Sequence, residues 1–148
     1  MILRIFRRSQ IGVESVAAGE VEHRHLAEGE GHMKVDMDQR LLTATITILT
    51  YGKDFENAVH QRLRELCLNR IEVISIYLDL TDLFTPVAVP FLEKQDCFFA
   101  GVFPAYPHHF LIMQYLNNVP IDYTRVATYD PLARELLPYI IKLDPNAG

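Results

Sequence analysis

The 148-residue chain has no tryptophan, only two cysteines (Cys67 and Cys97), and fewer basic than acidic residues, fourteen against nineteen. Each shortage excludes something. Two cysteines, each inside a segment that reads as a regular element, cannot supply the disulfide framework of a small secreted domain, and they are expected as buried thiols in a reducing compartment. A net charge of −5 offers no basic field to attract phosphate backbones, so nucleic acid is not an expected partner. No apolar run approaches the ~18 residues a membrane helix requires, so no membrane association is expected. Arg4, Arg7 and Arg8 break the apolar character of the first ten residues, which argues against a secretory signal and makes the cytoplasm the expected location. What is present is an ordinary globular composition, 49% hydrophobic and 22% charged. The length suits one domain, able to bury about two-thirds of its unfolded surface without staples.

Periodicity divides the chain into a lead-in (1–32), a core (33–116) and a C-terminal extension (117–148). Met1 to Arg8 alternates loosely, as an edge strand does, and a short strand is expected around Gly19 to Arg24 within a long glycine- and glutamate-containing loop. Met33 to Asp38 and Leu41 to Thr50 alternate clearly and are predicted to form an antiparallel hairpin turning at Asp38-Gln39-Arg40. From Asp54, an expected N-cap, to Asn69 the residues Phe55, Val59, Leu63, Leu66 and Cys67 fall on one helical stripe. Ile71 to Leu80 is rich in β-branched residues and predicted as a central strand buried on both faces. Thr85-Pro86 has the N-cap and N1-proline form of a second helix reaching about Gln95, with Pro90 disturbing its interior. Cys97 to Phe103 and His109 to Leu116 read as two more strands. Asp130-Pro131 opens a last helix to about Lys142 with Leu132, Leu136, Ile140 and Leu143 inward.

From Leu41 onward this order resembles the acyl-CoA N-acyltransferase fold of the GNAT type. The motif match lies at the second helix. The family often shows Asn-x-x-Ala-x-x-x-Tyr-Glu-Lys-x-Gly-Phe there, and Thr85 to Cys97 places Ala88, Glu93 and Lys94 on it while Thr85, Leu92, Asp96 and Cys97 depart. The resemblance implies an α/β (α+β) domain, with a mixed, mostly antiparallel sheet flanked by helices and an extra C-terminal helix. It also implies acetyl-CoA held between two splayed strands, its pyrophosphate on the N-terminus of the helix that follows the first of them. Thr50, Tyr51, Gly52, Lys53 and Phe55 then form the expected cofactor-binding stretch. A second resemblance runs through Phe98 to Pro104, Leu111 to Asn118 and Asp122-Tyr123. These segments look like the C-terminal GNAT-like half of bacterial proteins whose N-terminal half is an anti-sigma-type, histidine-kinase-like ATPase, which implies an ATPase domain as partner in cis or in trans.

The departures have chemical consequences. In many GNAT enzymes the motif tyrosine protonates the departing thiolate, and Leu92 has no proton to give. A pyrophosphate loop works by aiming bare backbone N–H groups at phosphate where the helix dipole is positive. Aligning Gly-Lys-Gly-Ile-Gly-Ser-Ala with Gly52 to Ala58 sets Asp54 and Glu56 at the two later glycines. Two like charges ~4 Å apart cost about 1 kcal/mol in water and about 4 at an effective dielectric of 20. As first-turn acids, Asp54 and Glu56 are expected to cap the helix.

Tyr77, Asp79 and Asp82, near the exit of the central strand, are the candidate substrate residues, because ligands gather outside the carboxyl ends of strands and a carboxylate pair suits a cationic amine. His23, His25 and His32, and the pair His108-His109, have imidazoles in metal-ligand numbers, but the first cluster lies in a glycine-rich loop, exposed histidines are the expectation, and no metal is expected. The function expected from these residues is a GNAT-like domain with an eroded acetyl-CoA site, acting as a regulatory or ligand-sensing module beside an ATPase domain or in a homo-oligomer. The alternatives are an active acetyl-CoA-dependent N-acetyltransferase on an amine, and a pure protein-interaction domain.

Overall fold

The computed structural model describes residues 29–147, so the strands expected at Met1 to Arg8 and around Gly19 to Arg24 lie outside the described residues. β1 (His32–Asp38) and β2 (Thr43–Thr50) form the expected antiparallel hairpin. Met33, Val35 and Met37 stand opposite Ile48, Ile46 and Ala44 on one face, and Lys34, Asp36 and Asp38 opposite Thr47, Thr45 and Thr43 on the other. The turn between them is longer than expected. Asp38 Oδ1 accepts the Arg40 and Leu41 amides at 2.9 and 3.2 Å, and Leu42 takes a left-handed φ of 54°, so β2 starts at Thr43 and not at Leu41.

α1 (Phe55–Leu68) buries Phe55, Val59, Leu63 and Leu66 as the stripe predicts, with Cys67 half-buried. β3 (Val73–Asp79), α2 (Thr85–Lys94), β4 (Phe98–Pro104) and β5 (His109–Leu116) follow, then a 3-10 turn at Tyr123–Arg125 that the periodicity did not reveal, and α3 (Pro131–Leu143). The five strands lie in the order β1-β2-β3-β5-β4. Among the described strands only β2 and β3 run parallel, because α1 carries the chain back between them, and a crossover of that length is what parallel pairing requires. The fold class is therefore the expected mixed α+β, with a mostly antiparallel sheet.

The core lies on one face of the sheet. Ala44, Ile46 and Ile48 of β2, Ile74, Ile76 and Leu78 of β3, and Leu111 and Met113 of β5 pack with Val59, Leu63 and Leu66 of α1 and Ala88 and Leu92 of α2. Each fully buried aliphatic side chain stabilises the fold by roughly 1.5–3 kcal/mol. β3 is central, but its other face is half-buried, through Val73, Ser75, Tyr77 and Asp79, and so corrects the expectation of burial on both faces.

Both core helices end in the same way. Arg70 and Asp96 adopt left-handed φ values of 61°, and the next residues, Ile71 and Cys97, send their amides back to the Leu66 and Leu92 carbonyls at 3.1 and 3.0 Å. Ile71 and Cys97 are fully buried, which completes the helix-ending motif with its apolar contact. α3 begins as predicted, Asp130 Oδ1 accepting the Leu132 amide at 2.6 Å. Leu132, Leu136 and Ile140 reach the core together with Tyr139, whose hydroxyl donates to Glu93 of α2, whereas Leu143 is half-buried outside that cluster. Among the described residues no helix is long and apolar enough to cross a membrane.

Candidate functional site

The parallel ladder between β2 and β3 runs from Thr43 opposite Val73 to Thr47 opposite Tyr77 and stops there. Beyond it each strand keeps only its outer neighbour: Ile48 and Thr50 stay paired with Met33 and His32 of β1, while Leu78 and Asp79 stay paired with Leu111 and Phe110 of β5. The two strands therefore part at their carboxyl ends. Such a parting leaves backbone groups without sheet partners and opens space where α/β proteins take ligands.

Here the parting is bridged by side chains of the protein itself. Tyr51 leaves β2 with its ring buried, and its hydroxyl lies 3.0 Å from Thr85 Oγ1 in the first turn of α2. Thr85 Oγ1 donates at 2.5 Å to the main-chain carbonyl of Asp79 at the end of β3. A threonine hydroxyl has one proton, so the phenol is the donor to Thr85, and a directed chain runs Tyr51 to Thr85 to Asp79. Rings close in around it: Tyr51 lies 5.0 Å from Phe55 and 5.9 Å from Phe84, and Phe55 lies 5.8 Å from Phe91, centroid to centroid. Burial raises the Tyr51 pKa above the ordinary tyrosine value, against the lowering effect of the Thr85 hydrogen bond, with the charges of Asp82 and Asp79 adding to the rise. The phenol stays protonated and engaged. Thr85, expected as the N-cap, is instead the first residue of α2 behind Phe84, and its hydroxyl serves β3 and not its own helix.

The loop before α1 is committed in the same way. Asp54 occupies the N-cap position, yet its side chain makes no capping bond; its Oδ1 accepts the Gly31 amide at 2.7 Å, which ties the approach to β1 onto the helix start. This corrects the expected capping role. The Lys53 amide goes to the Gly29 carbonyl at 3.4 Å, and the Phe55 amide to the Gly52 carbonyl at 3.1 Å. A Cβ placed on Gly52 would fall on the Gly31 amide nitrogen and lie 2.6 Å from the Glu30 carbonyl carbon and from Asp54 Oδ1. The concavity that a glycine leaves for an anion is thus filled by the Glu30–Gly31 backbone. Thr50 Oγ1 accepts the His32 amide at 3.1 Å. Of the expected cofactor stretch, Tyr51, Gly52 and Phe55 are buried, and Thr50 and Lys53 are exposed. These residues do not fit the diphosphate of acetyl-CoA, because the Glu30–Gly31 backbone fills the space over Gly52, the Lys53 and Phe55 amides are engaged within the protein, and the nearest side chain is the Asp54 carboxylate.

Tyr77, Asp79 and Asp82 are not brought into one empty cleft. Tyr77 packs its ring against Phe103 and Phe110 at 6.1 and 6.0 Å on the face away from the helices. Asp79 Oδ1 accepts from the Thr81 amide and hydroxyl at 2.8 and 2.7 Å, and Oδ2 meets His108 Nδ1 at 2.8 Å. Asp82 Oδ1 accepts the Phe84 amide at 2.9 Å. Asp79 thus ties the end of β3 to α2 and to the β4–β5 loop through its two halves, the carbonyl taking Thr85 and the carboxylate taking Thr81 and His108. His32 is exposed, His23 and His25 lie outside the described residues, and among the described residues no three His, Cys, Asp or Glu side chains are grouped to hold a metal ion. Cys97 is fully buried, and burial pushes its thiol up to about 12, the Asp96 charge adding to it; burial also raises the half-buried Cys67.

Thr85, Phe84, Phe91 and Gly31 were not among the residues singled out as ligand-binding. Thr85-Pro86 was visible as a helix start, but the carbonyl it serves follows from how the strands part. Comparison with protein-family models, curated proteins and solved structures yields no match.

Proposed function

We propose that the chain is a GNAT-like domain whose acetyl-CoA site has eroded and which acts in the cytoplasm as a regulatory or ligand-sensing module, working beside an ATPase domain in cis or in trans. The observation that carries this reading is the hydrogen-bond chain from Tyr51 through Thr85 to the Asp79 carbonyl, which bridges the strand parting where an acyl-CoA would lie. The element order, the single parallel pair and the parting at its carboxyl end support the likeness to the fold. So does Asp96: at the place where the family motif has glycine, it adopts the left-handed conformation that glycine serves. Leu92, at the motif tyrosine, is fully buried in the core, which supports the loss of acid chemistry. The ring cluster of Tyr51, Phe55, Phe84 and Phe91 also favours a second reading, an interaction domain with no small ligand.

Calorimetric titration with acetyl-CoA tests the proposal. The expected result is no binding at micromolar concentrations. A Kd below ~10 μM, roughly −7 kcal/mol, overturns it. A thermal-shift panel of amines, nucleotides and acyl compounds separates the two readings: a stabilising hit supports ligand sensing, and none supports an interaction domain.

A further inference from the structure

β1 lies at one edge of the sheet and, among the described residues, pairs only with β2. An unpaired edge offers a row of backbone donors and acceptors to any passing strand, and charged side chains usually blunt it. The charges on β1 are sorted along the strand. Its sequence, His32-Met33-Lys34-Val35-Asp36-Met37-Asp38, is basic before Val35 and acidic after it. Laid antiparallel against a copy of itself about a two-fold axis at Val35, it places Lys34 opposite Asp36, His32 opposite Asp38 and Met33 opposite Met37, twice over. Directly opposite residues share a face with Cβ atoms about 5 Å apart, so the two Lys34–Asp36 pairs are charge-complementary, the two Met33–Met37 pairs are apolar, and each His32 imidazole faces an Asp38 carboxylate that accepts hydrogen bonds.

The structure supplies the matching faces. Lys34 and Asp36 both lie on the face away from the helices, held 2.7 Å apart within the strand and more than half exposed, so a second copy would complete an alternating square of four charges. On the helix face Met33 packs against the core while Met37 stands 46% exposed, large for a methionine on that side. Across the axis each Met37 would cover the partner's Met33. Any other register sets like charges opposite one another or moves the charges onto the apolar face, so the edge is selective as well as sticky. We infer that β1 is a self-pairing edge: two copies of the chain associate through antiparallel β1 strands centred on Val35, continuing the sheet across the two-fold axis. The interface is isologous, as a two-fold dimer demands, and small, so reversible association is expected.

Sedimentation equilibrium on the full chain tests it. A monomer–dimer equilibrium is expected with a Kd on the order of 10–100 μM, weakening as salt is raised. Lys34→Asp or Asp36→Lys alone should raise the Kd about tenfold or more, since each reversal converts two attractions into two repulsions. The Lys34→Asp/Asp36→Lys double variant restores every facing pair and should return the Kd to within about threefold of the starting value. Circular dichroism and melting of each variant show that the monomer fold is kept. A strictly monomeric chain up to about 200 μM, a dimer indifferent to both single reversals, or a double variant that stays as weak as the singles would each overturn the inference.

Discussion

Thr85 shows how one hydroxyl can settle a site. It receives the Tyr51 phenol and gives its own proton to the Asp79 carbonyl, inside a pocket where water is excluded. Tyr51→Phe removes one neutral hydrogen bond and leaves Thr85 its donor role, so a loss of about 1 kcal/mol is expected by chemical denaturation. Thr85→Val leaves both the phenol and the Asp79 carbonyl without their partner, and the expected loss is larger, about 2–4 kcal/mol. Equal losses for the two variants would contradict the directed chain. Glycine offers a second contrast. Gly52→Ala drives a methyl group into the Gly31 backbone and should cost more than about 2 kcal/mol, whereas Gly101, with nothing within 4 Å of its missing Cβ, should tolerate alanine for less than about 1. In the sequence Tyr51 and Gly52 sit side by side as equal candidates for a ligand loop. Their commitment to the fold depends on Gly31, which is 21 positions before Gly52, and on Thr85, which is 34 positions after Tyr51.

At the scale of elements, sequence patterning located every described α-helix and strand but not the 3-10 turn at Tyr123–Arg125, and it was weaker on element ends. The stripe of α1 and the alternation of β1 and β2 are local patterns, legible because burial on one side imposes a period. The ends of α1 and α2 carry no glycine signal, since Arg70 and Asp96 hold the left-handed position instead. A side chain there costs roughly 1 kcal/mol relative to glycine. Asp96→Gly and Arg70→Gly should each raise stability by about 0.5–1 kcal/mol, measured as a higher denaturation midpoint with an unchanged m-value. Asp54 behaves differently from its sequence position. Because it holds Gly31 and makes no capping bond to α1, Asp54→Ala should speed hydrogen exchange at the Gly31 amide while leaving the interior amides of α1 protected.

For the whole molecule, burial of ionisable groups in one core makes stability fall in alkaline solution. The Cys97 thiol is pushed from 9.0 up to about 12, and Tyr51 is raised in the same direction, both chiefly by burial. The unfolded chain ionises these groups at their ordinary values and the folded chain only later, so the stabilisation is whole below pH 9. It drains away as pH climbs from 9 towards 12, by roughly 1 kcal/mol per pH unit for Cys97 alone. Urea midpoints should be flat from pH 7 to about 8.5 and decline above it, and Cys97→Ala should flatten that decline. A midpoint that rises above pH 9 would contradict this assignment.

By itself the sequence determined the order of the described helices and strands and placed Tyr51 and Asp79 at strand ends, because those follow from periods of two and 3.6 and from where turns interrupt them. It also determined that β1 is charge-sorted about Val35. Whether the exits form an open cleft was left to tertiary structure. The β2–β3 ladder stops at Thr47 and Tyr77, and only the folded chain brings Tyr51, Thr85 and the Asp79 carbonyl together across the parting. A loop rich in ligand-like residues and a loop spent on its own fold have the same local sequence; what separates them is which distant backbone groups need a hydrogen-bond partner once water is gone.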